Sequence, residues 1–305
     1  MRKILSAFLL VICTLLLVAC TNEKEIEGET ITVKHKLGST VVSVDIKKAV
    51  VFDLGILDIM QQLEVDVKLG APVASLPAYL SEYKNAKNIG TLVNANLEAI
   101  YEFDPDVIII SGRQESNYEE LKKLAPTIFV EANSATYLKD LEYNINLVAK
   151  LFHAEEKAES LMTEINELVE EVKALTNHLE KKALVVLLNG DTMSAYGSGS
   201  RFGLVHDVLG LKQADTKIEA STHGQSINYE YLSKTNPDII LVVDRSAVVE
   251  GSQSQNMFNN ELLKNMSAYV NDDIHYLNAV AWYTVSGGVT STKQMIQDVK
   301  NALIK

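Results

Sequence analysis

The stretch Asn96-Leu97-Glu98-Ala99-Ile100, continuing through Asp104-Pro105-Asp106-Val107-Ile108-Ile109, returns later as Asn228-Tyr229-Glu230-Tyr231-Leu232 through Asn236-Pro237-Asp238-Ile239-Ile240-Leu241. The copies lie 132 residues apart with no gap between them. Each reads as an asparagine-capped helix, a Pro-Asp turn and an apolar strand. A supersecondary unit used twice in one chain predicts two similar lobes. The register runs on to Arg113 and Arg245, each just past the carboxyl end of its strand. In open α/β sheets ligands sit outside those strand ends, so two facing lobes would aim both arginines into one cleft.

Working outward, short apolar runs at Ala49 to Phe52, Val67 to Leu69, Val107 to Ile110 and Thr127 to Val130 alternate with candidate helices near 54–64, 96–103 and 115–124. The alternation resumes at Ala183 to Leu188, Ile239 to Val243 and Ile274 to Leu277, and the chain closes on a helix near 289–304. Apolar runs without strict alternation, separated by helices, describe parallel strands buried on both faces. Ahead of them, Ile31 to Lys36 and Ser39 to Val44 read as a hairpin turning at Leu37-Gly38. Ser134 to Leu179 holds no Gly or Pro, and Leu161, Ile165, Leu168, Val172 and Leu175 recur at helical steps. A helix from Ala154 to Asn177 would be about 36 Å long, enough to run along both lobes. The expected fold is α/β: two Rossmann-like lobes with mostly parallel sheets, residues 31–133 and 180–305, joined through connecting helices at 134–179 that include one long helix.

The N-terminus points outside the cytoplasm. Arg2 and Lys3 precede an apolar run, Ile4 to Val18, that ends in Leu17-Val18-Ala19-Cys20. A basic start, an apolar stretch too short to span a bilayer and small residues at its end describe an export signal over residues 1–19. The cysteine in that register matches a bacterial lipobox, which makes Cys20 the expected lipidated N-terminus of the mature chain. Residues 20–30 then form a polar tether. The other cysteine, Cys13, lies inside the signal, so the mature body has neither a disulfide nor a thiolate metal site. The net charge of −12 becomes −14 without residues 1–19, which argues against nucleic acid as a partner. It does not exclude an anionic small ligand, which responds to the local charge of a cleft.

A third arginine, Arg201, lies in Gly197-Ser198-Gly199-Ser200-Arg201-Phe202-Gly203, between a strand ending near Tyr196 and a helix. Glycines there permit close backbone approach, and a helix start favours an anion. Arg113, Arg201 and Arg245 are the only arginines of the mature chain, which otherwise uses lysine for its positive charge. A guanidinium fork suits a delocalised anion better than an ammonium does. Two further segments, His223-Gly224-Gln225-Ser226-Ile227-Asn228 and Trp282-Tyr283-Thr284-Val285-Ser286-Gly287-Gly288, read as loops that lead into helices. They offer an imidazole at His223 and a phenol at Tyr283, with Trp282 beside it. Ferric iron is a hard cation that favours anionic oxygen.

The lipobox, the twin Asn-x-Glu…Pro-Asp segments, the long connecting helix, the His-Gly-Gln-Ser-Ile-Asn run and Trp-Tyr-x-x-Ser-Gly together resemble the helical-backbone substrate-binding proteins of ABC importers. Within that group the chain is similar to the binders of ferric catecholate siderophores of the enterobactin and petrobactin type. The resemblance implies a monomeric, lipid-anchored protein on the extracytoplasmic face of the membrane, with no permanent cofactor, that carries Fe(III) as a siderophore complex. It implies that Arg113, Arg201 and Arg245 hold the anionic complex, with Trp282 beside it. His223 and Tyr283 would complete the iron's coordination when the siderophore supplies only four donors. It further implies that Glu98 and Glu230 dock onto the permease, which works with its own ATPase. Haem, cobalamin or a ferric hydroxamate on the same fold is the alternative within this class. A lipid-anchored enzyme is the alternative from another class, but no Gly-x-Ser-x-Gly, His-Glu-x-x-His or phosphate-loop motif supports catalysis.

Overall fold

The structure, a computed structural model, describes residues 28–249, 251, 254 and 256–304. The export signal, Cys20 and nearly all of the tether lie outside the described residues. The first half of the chain runs β1 (Thr30–His35), β2 (Gly38–Ser43), β3 (Lys48–Val51), α1 (Leu54–Gln62), β4 (Lys68–Ala71), β5 (Lys87–Asn88), α2 (Leu97–Phe103), β6 (Val107–Ile110), α3 (Tyr118–Leu121) and β7 (Thr127–Phe129). Helices α4 (Tyr137–Leu151) and α5 (Glu155–Thr176) follow. The second half runs β8 (Lys182–Asn189), β9 (Thr192–Tyr196), β10 (Lys212–Gln213), β11 (Gln225–Ile227), α6 (Tyr229–Thr235), β12 (Ile239–Asp244), α7 (Arg245–Val249), α8 (Ser267–Val270), β13 (Ile274–Tyr276) and α9 (Val289–Leu303).

Two sheets result. The first has the order β5-β4-β3-β6-β7 and is parallel throughout. The second has the order β11-β9-β8-β12-β13, with β10 also on β8. It is parallel except at β9, which runs against both β8 and β11. The β1–β2 hairpin turns at Lys36-Leu37, and Gly38, expected within the turn, opens the return strand opposite His35. The expected helix at 115–124 divides into a 3-10 turn, Gly112–Asn117, and the short α3.

The twin segments fold alike for the same reasons. Asn96 accepts the amide N–H of Ala99 at 3.0 Å to start α2, and Asn228 accepts that of Tyr231 at 2.9 Å to start α6. Each helix stops at a residue in the left-handed region, Asp104 (φ 50°) and Asn236 (φ 47°), just before its proline. The aspartate after each proline then fastens the neighbouring strand. Asp106 accepts from Lys47 N and Lys48 N at 2.8 Å at the head of β3, and Asp238 accepts from Lys182 N at 2.9 Å at the head of β8.

Alternate residues on the central strands separate two kinds of core. Val107 and Ile109 of β6 share one apolar cluster with Ile239, Leu241 and Val243 of β12 and with buried residues of α1, α4, α5 and α9. The opposite faces, Ile108 and Ile110 in the first lobe and Ile240 and Val242 in the second, belong to separate clusters. The lobes are therefore joined through one continuous apolar core as well as through α5, whose 22 residues span about 33 Å. The terminal helix α9 takes part in this join. Lys300 pairs with Glu171 of α5 at 2.6 Å, and Lys293 pairs with Glu164. At its N-terminus, the buried carboxylate of Asp58 in α1 accepts from Thr290 N at 3.1 Å and Ser291 N at 2.9 Å. Burial raises the Asp58 pKa above the usual carboxylate value, and those amides oppose the shift. Gly288 has no side chain because a Cβ there would collide with this carboxylate.

Candidate functional site

Each lobe delivers an arginine at the carboxyl edge of its sheet. Arg113 sits in the 3-10 turn that follows β6, and Arg245 is the first residue of α7, directly after β12. Arg201 comes from the turn between β9 and a π-helical turn at Leu204–Val208. A second π-helical turn, Val280–Thr284, carries Tyr283 and links the last strand to α9, so it sits where the chain leaves the second sheet for the inter-lobe core.

All three arginines meet at Tyr283. Arg113 donates to the carbonyls of Tyr283 and Thr284, both at 3.2 Å, and Arg201 donates to the same Tyr283 carbonyl at 2.7 Å. The Arg201 guanidinium lies 4.2 Å from the centre of the Tyr283 ring. Arg245 approaches the other end of that ring, its Nε donating to the phenol oxygen at 2.9 Å. Among the described residues neither Arg113 nor Arg201 is paired with a carboxylate; both place donors on backbone oxygens. Burial pulls the Arg201 pKa below its ordinary value; Tyr283 opposes the shift and the like charge of Arg113 adds to it. Guanidiniums from both lobes, brought together around Tyr283, concentrate positive charge that suits an anion.

Other expected site residues fare differently. Trp282 is 0% exposed; it packs edge-on against Phe202 and donates its indole N–H to Asp298 of α9 at 2.9 Å. It is a core side chain supporting the turn rather than a surface that meets a ligand, because consecutive residues of a helical turn point in different directions. The segment expected as a loop there is the π-helical turn. The glycine-rich turn at 197–203 does not present free amides to an anion either. Ser198 N donates to Gln213 Oε1 at 2.9 Å, Gly199 N to Asp207 Oδ2 at 2.7 Å and Arg201 N to Ser221 O at 3.3 Å. Its glycines make room for the chain's own Gln213 and Asp207, since a Cβ at Gly197 or Gly203 would strike them. His223 is exposed, in a turn that Ser221 ties to the backbone of Arg201, and β11 follows it before α6 begins. Glu98 and Glu230 are both exposed in the first turns of α2 and α6.

The sequence pattern of the periplasmic binding protein family matches residues 50–281. The chain belongs to that family. This binding protein is 39% identical over its full length to the full-length petrobactin-binding protein YclQ of Bacillus subtilis (strain 168). The crystal structure of YclQ superposes with a TM-score of 0.87, covering 91% of this chain and 100% of that one at 41% identity. The ferric-anguibactin-binding protein FatB of Vibrio anguillarum (strain ATCC 68554 / 775) is 36% identical, covering 88% of this chain and 86% of its own. The siderophore-binding protein BauB, solved with two molecules of acinetobactin and ferric iron, matches at a TM-score of 0.82 and 34% identity over 90% of this chain and 99% of its own.

The sequence reading of this binding protein missed the residues that hold the site together. Asp298 accepts from Asn278 N at 2.8 Å as well as from Trp282, which fixes the start of the Tyr283 turn. The Tyr137 hydroxyl receives Gly287 N at 3.1 Å on the far side of the turn. Asn189, at the end of β8, accepts from Arg245 Nη1 at 2.5 Å. Asp58 alone left a visible signal, as a carboxylate inside the apolar run Leu54 to Met60. Among the described residues, no group of three or more His, Cys, Asp and Glu is placed to hold a metal ion.

Proposed function

We propose that this chain is the substrate-binding lipoprotein of an ABC importer. Tethered through Cys20 to the extracytoplasmic face of the membrane, it captures an anionic ferric catecholate siderophore between its lobes as a monomer and hands it to the permease and its ATPase. The observation that carries the reading is the convergence of Arg113, Arg201 and Arg245 on Tyr283. Guanidiniums can pair with catecholate oxygens and stack on their rings, and the Tyr283 carbonyl marks where such an oxygen can accept from both lobes. The names of the relatives, with petrobactin, anguibactin and two acinetobactins with ferric iron as their ligands, support a siderophore as the class.

A siderophore with only four donors leaves ferric iron two positions short. The Tyr283 phenol, losing its proton as it binds iron, would fill one, with Arg245 Nε already donating to that oxygen. His223, on its exposed turn, would supply the other. Tyr283→Phe and His223→Ala should therefore weaken a ferric bis-catecholate far more than a ferric tris-catecholate, measured by calorimetric titration of the purified protein. Equal losses for both complexes would remove Tyr283 and His223 as iron ligands. Glu98 and Glu230, equivalent and exposed, are proposed to dock the loaded protein onto the permease. Reversing both to lysine should abolish cellular uptake with ligand affinity unchanged; lost affinity in the purified double variant would contradict the docking role.

A further inference from the structure

The two strand-end arginines differ in one respect that nothing in the twin pattern foretells. Arg245 is held from behind by a second element. The turn joining β8 to β9, Asn189-Gly190-Asp191-Thr192, reaches over α7 and bonds to it twice. Asn189 Oδ1 accepts from Arg245 Nη1 at 2.5 Å, and Gly190 N donates to Ser246 Oγ at 2.8 Å. Gly190 supports this turn with a φ of +56°, where a side chain would be strained. Helix α7 is itself fixed at its start, because the buried carboxylate of Asp244 accepts from Ser246 N at 3.1 Å and Ala247 N at 3.4 Å. The acceptor on Asn189 is thus placed by backbone on both sides, unlike an incidental surface contact between two mobile side chains.

The guanidinium is planar, so fixing Nη1 on one side fixes the direction of Nε on the other. Nε is the atom that donates to the Tyr283 phenol oxygen at 2.9 Å. We infer that Asn189 is a positioning residue for this binding site: through Arg245 it orients the phenol oxygen of Tyr283, and so sets the preference for ligands that need that oxygen. Asn189 is exposed and lies at the end of its strand, so its side chain can be changed without opening the core. Among the described residues nothing equivalent stands behind Arg113. At the matching place in the first lobe, β3 runs directly into α1 with Asp53 as the cap, and no hairpin follows. Arg113 instead contacts the backbone of Tyr283 and Thr284 and has no contact with the phenol. The selective element of the cleft therefore belongs to the second lobe, and the first supplies charge alone.

This inference rests on the proposed role of Tyr283 as an iron ligand, and the test separates the two. The purified protein, wild type and with Asn189→Ala, Asn189→Asp or Tyr283→Phe, is titrated with a ferric bis-catecholate and a ferric tris-catecholate, and the ratio of the two affinities is read. Asn189→Ala should lower affinity for the bis complex about tenfold, the scale of one charge-assisted hydrogen bond, and change the tris complex by less than about threefold. Asn189→Asp keeps the acceptor oxygen. Its added negative charge weakens both complexes together, so the wild-type ratio should survive. On the Tyr283→Phe background, Asn189→Ala should change the ratio no further, as residues acting through one atom are not additive. A wild-type protein without preference for the bis complex would overturn the role of Tyr283 as an iron ligand, and this inference with it. A wild-type preference that Asn189→Ala leaves intact would overturn the Asn189 role alone. So would equal losses for both complexes, loss of the ratio in Asn189→Asp, or additivity with Tyr283→Phe.

Discussion

Residues 96–113 and 228–245 solve one folding problem twice and then part company at the last residue. Up to the strand ends they match feature by feature: an asparagine cap, a left-handed stop, a proline, and an aspartate that fastens the adjacent strand. Beyond the strands, Arg113 reaches across on an exposed 3-10 turn to backbone oxygens, whereas Arg245 is backed by Asn189 and grips a phenol. The repeated part is scaffold, and the divergent ends are where we propose that the ligand is met. Duplication supplies two sheet edges that face one another, and differences just past those edges turn a symmetric cleft into an asymmetric site.

The join between the lobes should be the most sensitive part of that comparison. Asp58, from the first lobe, satisfies two amides at the head of α9, directly after the Tyr283 turn. Asp58→Ala strands those donors in the interior and should cost about 3 kcal/mol of stability, read from the denaturant midpoint. A loss below about 1 kcal/mol would mean the lobes do not depend on this clamp. Next in size is the charge shared between the lobes. Arg201 is half-buried, hence less screened than the exposed Arg113, and Arg201→Ala should weaken a ferric catecholate about 100-fold. The twins then separate: Arg245→Ala should lower affinity about tenfold further than Arg113→Ala, because the exposed Arg113 works through water and salt. Equal losses from the two would erase the asymmetry.

The smallest effect concerns acid. In the second lobe His206 donates from Nδ1 to Leu211 O at 2.9 Å, and burial holds its pKa below the ordinary 6.5. A depressed histidine contributes stability that is complete above the unfolded value and is lost as pH falls through the folded one. His206→Gln should therefore flatten the fall in thermal midpoint as pH drops below about 6.5. His35 in the β1–β2 hairpin, bonded to Thr40 Oγ1 at 2.9 Å, is likewise lowered by burial, but it is only half-buried, and His35→Gln should flatten the same curve less. A curve unchanged by His206→Gln would show that this histidine is not held neutral.

Much of this was legible beforehand. The 132-residue offset gave both lobes and both strand-end arginines because cap, turn and strand carry distinctive residues at fixed spacing. The long helix emerged from its periodicity to within a residue at each end. What could not be read was the meeting point. Two of the arginines converge on a backbone carbonyl, and backbone acceptors have no residue signature. Trp282 stood next to the proposed ligand in sequence yet turns into the core, since adjacency along a helical turn is not adjacency in space. The glycines around Arg201 resembled an anion cradle but accommodate Asp207 and Gln213, two acceptors that come after the motif they serve. Asn189 has no twin in the first lobe, so the repeat that revealed Arg245 was silent about its support.

The central claim is that this cleft is built for an anionic ferric catecholate. Trp282 is the sole tryptophan and adjoins Tyr283 in the chain, so bound iron should quench its fluorescence. The most direct test titrates purified protein with a ferric bis-catecholate, a ferric tris-catecholate and a ferric hydroxamate while following that emission. The account predicts strong quenching at submicromolar catecholate, with the bis complex preferred, and none from the hydroxamate at the same concentration. Saturable quenching by the hydroxamate alone, or by none of the three, would contradict it.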